Sequence, residues 1–445
     1  MRSKLNGSTH VEKTTTAGRR LSRRDFVVGA GAMTGLLASG RGGWAADTEN
    51  VLRVGFISPR TGRLAGFGEG DGYILESARK ALAKGLQVGD KTYKVEILDR
   101  DTQSDPARAG QLAKALIEGG QLDLMLTTST PETVNPVADA SEAAGVPCLS
   151  TIMPWEAWYF GRGAKPGQPS PFKWTYHFSF GGGVFFTSYT SQWNLLETNK
   201  KVAVMYPNDA DGNAVRGTLG EALKGAGYTV VDPGPYEDGT TDYAAQIALF
   251  KKEQCEIFNT FPIPPDFAAF WHQAAQLGWT PHVKIAQIAK ACLFPSEVGA
   301  LGTLGYGLSS GAYWHPTFPY KSALTGLDGQ TLVAGYESAS GKQWNQQLGA
   351  SMSLIDAGIA ALKASGDPRT KESVAKALST LKTEVMTGPI DFTAGPVPNV
   401  SPTPIVGTQW KKAAAGSKFK LDYVITEHAA DPKIPIGGKL EPFGA

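Results

Sequence analysis

The sequence is poor in cysteine. Among 445 residues it holds three, Cys148, Cys255 and Cys292. An odd count excludes a fully paired disulfide framework. Buried thiols are the expectation, with a Cys255–Cys292 pair left open. Three cysteines so far apart make no metal site, and His177, His272, His282 and His315 stand alone without ligand spacing. Neither a metal nor a cofactor is expected. Charge of one sign is lacking too: 43 Lys+Arg stand against 41 Asp+Glu. No dense basic run follows Asp47, so nothing calls for a nucleic acid or a membrane surface. The chain has no G-x-S-x-G elbow and no P-loop. "GEGDG" at Gly68–Gly72 lacks the G-x-G-x-x-G spacing and reads as a turn entering a helix. "DRD" at Asp99–Asp101 could hold a metal or act as acid and base, but a polar turn is the better reading. No catalytic residue is assigned, and the chain is not expected to be an enzyme. Long apolar runs are missing as well: Val27 to Ser39 is about half the ~20 residues a membrane helix needs.

That short run has a context. Arg19, Arg20, Arg23 and Arg24 precede it, and Gly43-Trp44-Ala45 follows. A basic region, a short apolar region and a small-residue site form the order of a secretory signal. "SRRDF" resembles the twin-arginine export motif, with Asp25 in its variable slot. Residues 1–45 are therefore expected to be a signal peptide cut after Ala45. The rest is expected in the periplasm, soluble.

About 400 residues then remain, more than one core usually serves, so two lobes are expected. "VLRVGFIS" is a short strand stopped by Pro59 and Gly62. "GYILESARKALAKG" has helical spacing and a stop at Gly85. "YKVEILDRD" is a strand, and Asp105 and Pro106 open the helix of "SDPARAGQLAKALIEGG". "LDLMLTT", a helix to Ala144 and "VPCLSTI" continue the alternation, which predicts a parallel sheet. The pattern restarts at "KVAVMYPND" and runs to the helix of "DFAAFWHQAAQLGW". Asp266 is its expected cap and Gly278 its stop. A long helix over "MSLIDAGIAALKASG" and a Pro-studded tail follow. The fold class is α/β with two similar lobes, each a parallel sheet flanked by helices. The expected lobes are residues 50–172 plus 300–385 and residues 173–299 plus 386–445. Ligands of such sheets bind beyond the carboxyl ends of the strands. The segments to watch are 58–67, 127–133, 151–159, 207–211 and 261–266.

In order, "VGFISPRTGRLAGFGEG", "LDRDTQSDPARAGQLAKALI", "STPETVNPVADASEAAGVPCLST", "NDADGNAVRGTLGEALKGAGYTVV", "TTDYAAQIALFKKE", "AAFWHQAAQLGW" and "TGPIDF" span nearly everything after Val51. This set resembles the type I periplasmic solute-binding proteins of ABC importers, in the branched-chain amino-acid-binding group. The resemblance implies two lobes joined by a three-strand hinge, closing on a small ligand without catalysis. It implies ABC permease membrane subunits as partners. A monomer is expected.

By the same resemblance, Phe67 stands where a residue packs on the ligand. Ser129 and Thr130 stand where hydroxyls and a helix N-terminus hold it, unless they only cap the helix. Thr151 is the second residue of the next segment, "STIMPWEAW" from Ser150, in which Pro154 falls in the slot of a carboxylate-clasping hydroxyl. Proline has neither hydroxyl nor N–H, which speaks against an amino acid. Trp155, Trp158 and Tyr176 could line the cleft with Phe67 or serve as core. Tyr313 and Trp314 could frame its mouth. Asp266 is either the ammonium partner of the family or a helix cap. The favoured ligand is an aromatic or other apolar carboxylate, with an amino acid second and a basic ligand on aromatic faces left open. The rival readings are a sensor of the same fold acting on a signalling partner, and an exported enzyme.

Overall fold

The computed structural model describes residues 50–120 and 122–444. The signal-peptide reading of residues 1–45 lies outside them. The strands are, in chain order, β1 Val51–Ser58, β2 Leu86–Val88, β3 Lys91–Asp101, β4 Leu124–Thr128, β5 Cys148–Thr151, β6 Thr175–Phe178, β7 Lys201–Met205 and β8 Thr229–Val231. β9 Ile257–Thr260, β10 Ile285–Ile288, β11 Ser309–Ala312, β12 Lys382–Val385, β13 Gly388–Asp391, β14 Val400–Ser401, β15 Val406–Lys412 and β16 Leu421–Ile425 complete them. They build two seven-stranded sheets, in the orders β14-β6-β5-β4-β1-β3-β2 and β16-β15-β11-β10-β9-β7-β8, and a separate β12-β13 hairpin.

Both sheets are mixed. Their interiors are parallel, but β2 runs antiparallel to β3, and β15 antiparallel to both β11 and β16. For β2 and β3 the reason is local. Antiparallel neighbours need only a short loop, while parallel ones need a crossover. Between β2 and β3 stand just Gly89 and Asp90, with Gly89 at φ +56°, the backbone a tight hairpin requires.

Strand pairing assigns each segment to a sheet. β6 pairs with β5 in the first sheet, although residues from 173 were expected in the second lobe. β11 pairs with β10 and β15 in the second sheet, although 300–385 was expected in the first lobe. β14 returns to β6, so part of the tail belongs to the first sheet. The chain passes between the sheets after β6, after β11 and after β14.

Local signals set the helices. Asp105 accepts from Arg108 N at 2.6 Å and caps the helix Pro106–Glu118, whose Ala109, Ala113 and Leu116 are buried. The helix Gln347–Ala364 is buried on nearly every face, as an element apolar all round must be. Its Gly358 lies so close to Leu124 and Leu126 of β4 that a methyl there would touch both. The helix Pro264–Gln276 starts from Ile263, with Pro264 in its first turn. Asp266 is therefore not the cap, because proline already occupies the first helical position. Gly278 at φ +69° ends it as expected. Among the described residues no helix is long and apolar enough to cross a membrane.

Candidate functional site

Both sheets send the carboxyl ends of their parallel strands to one cleft, with about 420 Å³ of space free of atoms. From the first sheet come Phe67, Thr130 after β4, Ile152, Met153 and Pro154 after β5, and Phe180 after β6. From the second come Phe261 after β9, Ala289, Lys290 and Leu293 after β10, Gly311 and Tyr313. Phe185 and Tyr189 reach in from the helix Gly182–Trp193, and Ile405 from the third passage between the sheets. The walls are aromatic and continuous. Phe180 stacks on Tyr313 (5.7 Å, 20°), and Phe185 meets Phe261 edge-on at 5.0 Å. Two lining residues hold backbone that L-residues rarely adopt: Ile152 at φ +90° and Lys290 at φ +36°. Such strain gathers where a site over-determines its geometry.

The cleft's polar end is a charge cluster. Lys290 Nζ lies 2.7 Å from Asp209 Oδ2 and 2.9 Å from Asp211 Oδ2. Asp209 also accepts from Gly212 N at 2.6 Å and so caps the helix Ala210–Val215. Burial alone would discharge Lys290, but the carboxylates of Asp209, Asp211 and Glu132 hold its ammonium well above the usual lysine range. Burial pushes the Asp211 carboxyl up, against the pull of Lys290. Glu132, Asp209 and Asp211 bring carboxylate oxygens within 4.8 Å of one another. Such an oxygen set suits a hard cation, but Lys290 already bonds two of the three.

Two of the seven residues expected at the site line the cleft, Phe67 and Thr130. Ser129 is fully buried beside Thr130 but outside the lining. Thr151 spends its hydroxyl on Phe178 O at 2.6 Å, pinning β5 to β6. Trp155 packs on Phe160 at 5.8 Å, and only its neighbour Pro154 reaches the cleft. Tyr176 packs edge-on against Phe392 at 5.6 Å. Asp266 accepts from Gly239 N at 3.0 Å and holds that turn. Of the framing pair, Tyr313 lines the cleft, while Trp314 is buried against Trp344.

"DRD" is the end of β3 and not the expected turn, and its acids are structural: Asp99 pairs with Arg60 and Arg79, and Asp101 accepts from Arg60 N, Thr61 and Gln103 N. Ser150 Oγ lies 2.9 Å from His177 Nδ1, but both are fully buried and outside the cleft lining. Sequence reasoning did not single out Lys290, Asp209, Asp211 or Glu132. Glu132, Asp209, Asp211 and Phe261 fall in its post-strand windows, so the signal for them was position alone. Lys290 follows β10, a strand not recognised in the sequence.

Residues 51–414 match the family described as periplasmic binding protein. The chain belongs to that family. It is similar in structure to a leucine-binding protein, LivK, of Thermotoga maritima, at 18% identity and a TM-score of 0.65, covering 84% of this chain and 97% of that one. It is also similar to a solute-binding protein of an ABC transporter from Rhodopseudomonas palustris in complex with 3,4-dihydroxybenzoic acid, at 19% identity and a TM-score of 0.66, covering 86% and 99%. A curated relative, the uncharacterized protein MJ1266 of Methanocaldococcus jannaschii, is 24% identical over 206 residues. That match spans 45% of this chain and 46% of the relative, so the chain covers about half the length of the curated relative it matches.

Proposed function

We propose that this protein is an exported solute-binding protein that captures a small organic ligand between its two lobes and delivers it to the membrane subunits of an ABC permease. The observation that carries the reading is the cleft itself: aromatic walls from both sheets at the strand ends, with one small polar end. Ligand sites have that make-up. A leucine-binding protein and a dihydroxybenzoate complex among the similar structures support a ligand with an apolar body. The ligand rests on Phe67, Phe180, Phe185 and Phe261, and its polar group meets Thr130. Ser129, Thr151, Trp155, Tyr176 and Asp266 act as scaffold. The sequence favoured a bare carboxylate at Thr130, with an amino acid second. The acids beside Lys290 weigh against an unshielded anion there. The protein works as a monomer in the periplasm, reached through the twin-arginine signal.

Thermal shifts of the chain from Ala46 onward test this, against aromatic acids, amides, branched-chain amino acids and short dicarboxylates. A ligand at 100 times its dissociation constant adds roughly 2.7 kcal/mol. A clear rise in melting temperature with one class is expected. A flat response across the whole panel would remove the cleft as a solute site.

A further inference from the structure

We infer that the ligand's polar head is an uncharged group that both donates and accepts hydrogen bonds, of the carboxamide class, held by Asp211 and Thr130, and that Lys290 sets this preference by rejecting either charge. The inference rests on the cleft being the ligand site. It starts from two of the three cleft-lining side chains that hold an orphaned polar atom, Asp211 and Thr130, the third being the Tyr189 hydroxyl. Asp211 Oδ1 and Thr130 Oγ1 are buried and have no hydrogen-bond partner within the protein. Each residue is 3% exposed, and each lines the cleft. A buried polar atom without a partner is costly, so both positions call for a ligand group. While ionised and bonded to Lys290, the carboxylate can only accept from that group. The hydroxyl can donate to it. A carboxamide meets both needs at once, N–H to Asp211 and C=O from Thr130.

Charge narrows the class further. The other oxygen of Asp211 is bonded to Lys290, and Asp209 bonds the same ammonium. One cation thus sits among three carboxylates, bonded to two of them, with Glu132 the third. A ligand carboxylate would enter beside three acids whose one cation is already engaged. A ligand ammonium would enter beside the Lys290 ammonium. Both would be desolvated among aromatic walls, where an unmatched charge is heavily penalised. An uncharged head adds no charge to match.

The test uses two sets of three probes, each set sharing one body. The first is benzamide, benzoate and benzylammonium. The second is isovaleramide, isovalerate and isopentylammonium. Affinities are read by calorimetry at pH 7. On whichever body binds, the amide is expected to bind at least about tenfold tighter than its acid and its ammonium, the worth of one good hydrogen bond. An acid or ammonium that equals or beats its amide overturns the head assignment and leaves the solute-binding reading intact. If none of the six binds while a branched-chain amino acid or a dicarboxylate does, the head assignment falls and the cleft stands. If nothing binds, both fall.

Two variants localise the effect. Asp211→Asn replaces the accepting anion with an amide and should invert the amide-to-acid ratio towards the acid. Thr130→Val keeps shape, loses the hydroxyl, and should weaken the amide about tenfold. An unchanged ratio in Asp211→Asn, together with unchanged amide affinity in Thr130→Val, would overturn the assignment even if one variant were partly unfolded.

Discussion

His177 sits between Ser150 Oγ and the carbonyl of Met153, with its ring stacked on Trp158 at 5.3 Å. Burial pushes its imidazole down to about 3, and burial likewise takes His315 down to about 4. A depressed histidine favours folding above its unfolded value of about 6.5, and that stability is lost as pH falls through the folded value. Two buried acids oppose the trend. Asp71 and Asp356, pushed up to about 6 by burial, favour the fold as pH falls below that value. The difference between wild type and His177→Gln therefore isolates the histidine. From pH 6.5 to pH 4 it should shrink by on the order of 1 kcal/mol per pH unit. Urea midpoints at several pH values measure it, and a pH-independent difference would mean that His177 is charged in the fold.

Trp155 offers a second residue-scale test. Its ring packs on Phe160, so Trp155→Ala should leave the affinity of any bound probe within about threefold while lowering stability by about 2 kcal/mol. Calorimetry and urea melts separate the two effects. The sequence placed an aromatic after the right strand but could not say which way the ring turned. A helix of one turn, Trp155–Tyr159, rotates it onto Phe160 and leaves Pro154 facing the ligand space.

At the scale of elements, the first passage between the sheets is locked by contacts from that short helix. Glu156 Oε1 accepts from Gly182 N at 2.8 Å, at the start of the helix Gly182–Trp193. A methyl on Gly181 would collide with Trp155 Nε1 and Glu156 Oε1. Gly181→Ala should lower stability by about 2 kcal/mol through overpacking, seen as a lower urea midpoint. An unaffected midpoint would show that the helix can shift freely there. The long elements were legible because their signals are local: Asp105 before Pro106 for a cap, Gly278 for a stop, dense apolar runs for β4 and β9. The edge strand β2 was not. β2 is three residues long, and its pairing with β3 depends on a partner and not on periodicity. Which sheet β6 or β11 joins is likewise decided by neighbours distant in sequence. Lys290 escaped because a lone lysine after an unrecognised strand looks like surface. Only the fold brings Asp209 and Asp211 to it.

For the whole molecule, three connections between two sheets leave bending about one line as the soft motion, a hinge geometry. A ligand that touches both walls should stabilise the closed form. Small-angle scattering with the strongest probe at saturation should show a smaller radius of gyration than without it. An unchanged radius would mean that the ligand binds one lobe alone.

The three cysteines are free and fully buried, Cys148 in the first sheet, Cys255 just before β9 and Cys292 just after β10 in the second. Burial lifts the Cys148 thiol to about 12 and the Cys255 thiol to about 11, so neither is the thiolate that reacts. The chain therefore carries its own breathing clock. A thiol reagent can label a site only while the structure around it is open, so the labelling rate at each cysteine counts local openings. Ligand should slow all three clocks if the lobes share one cooperative unit, and only some of them if each lobe opens alone.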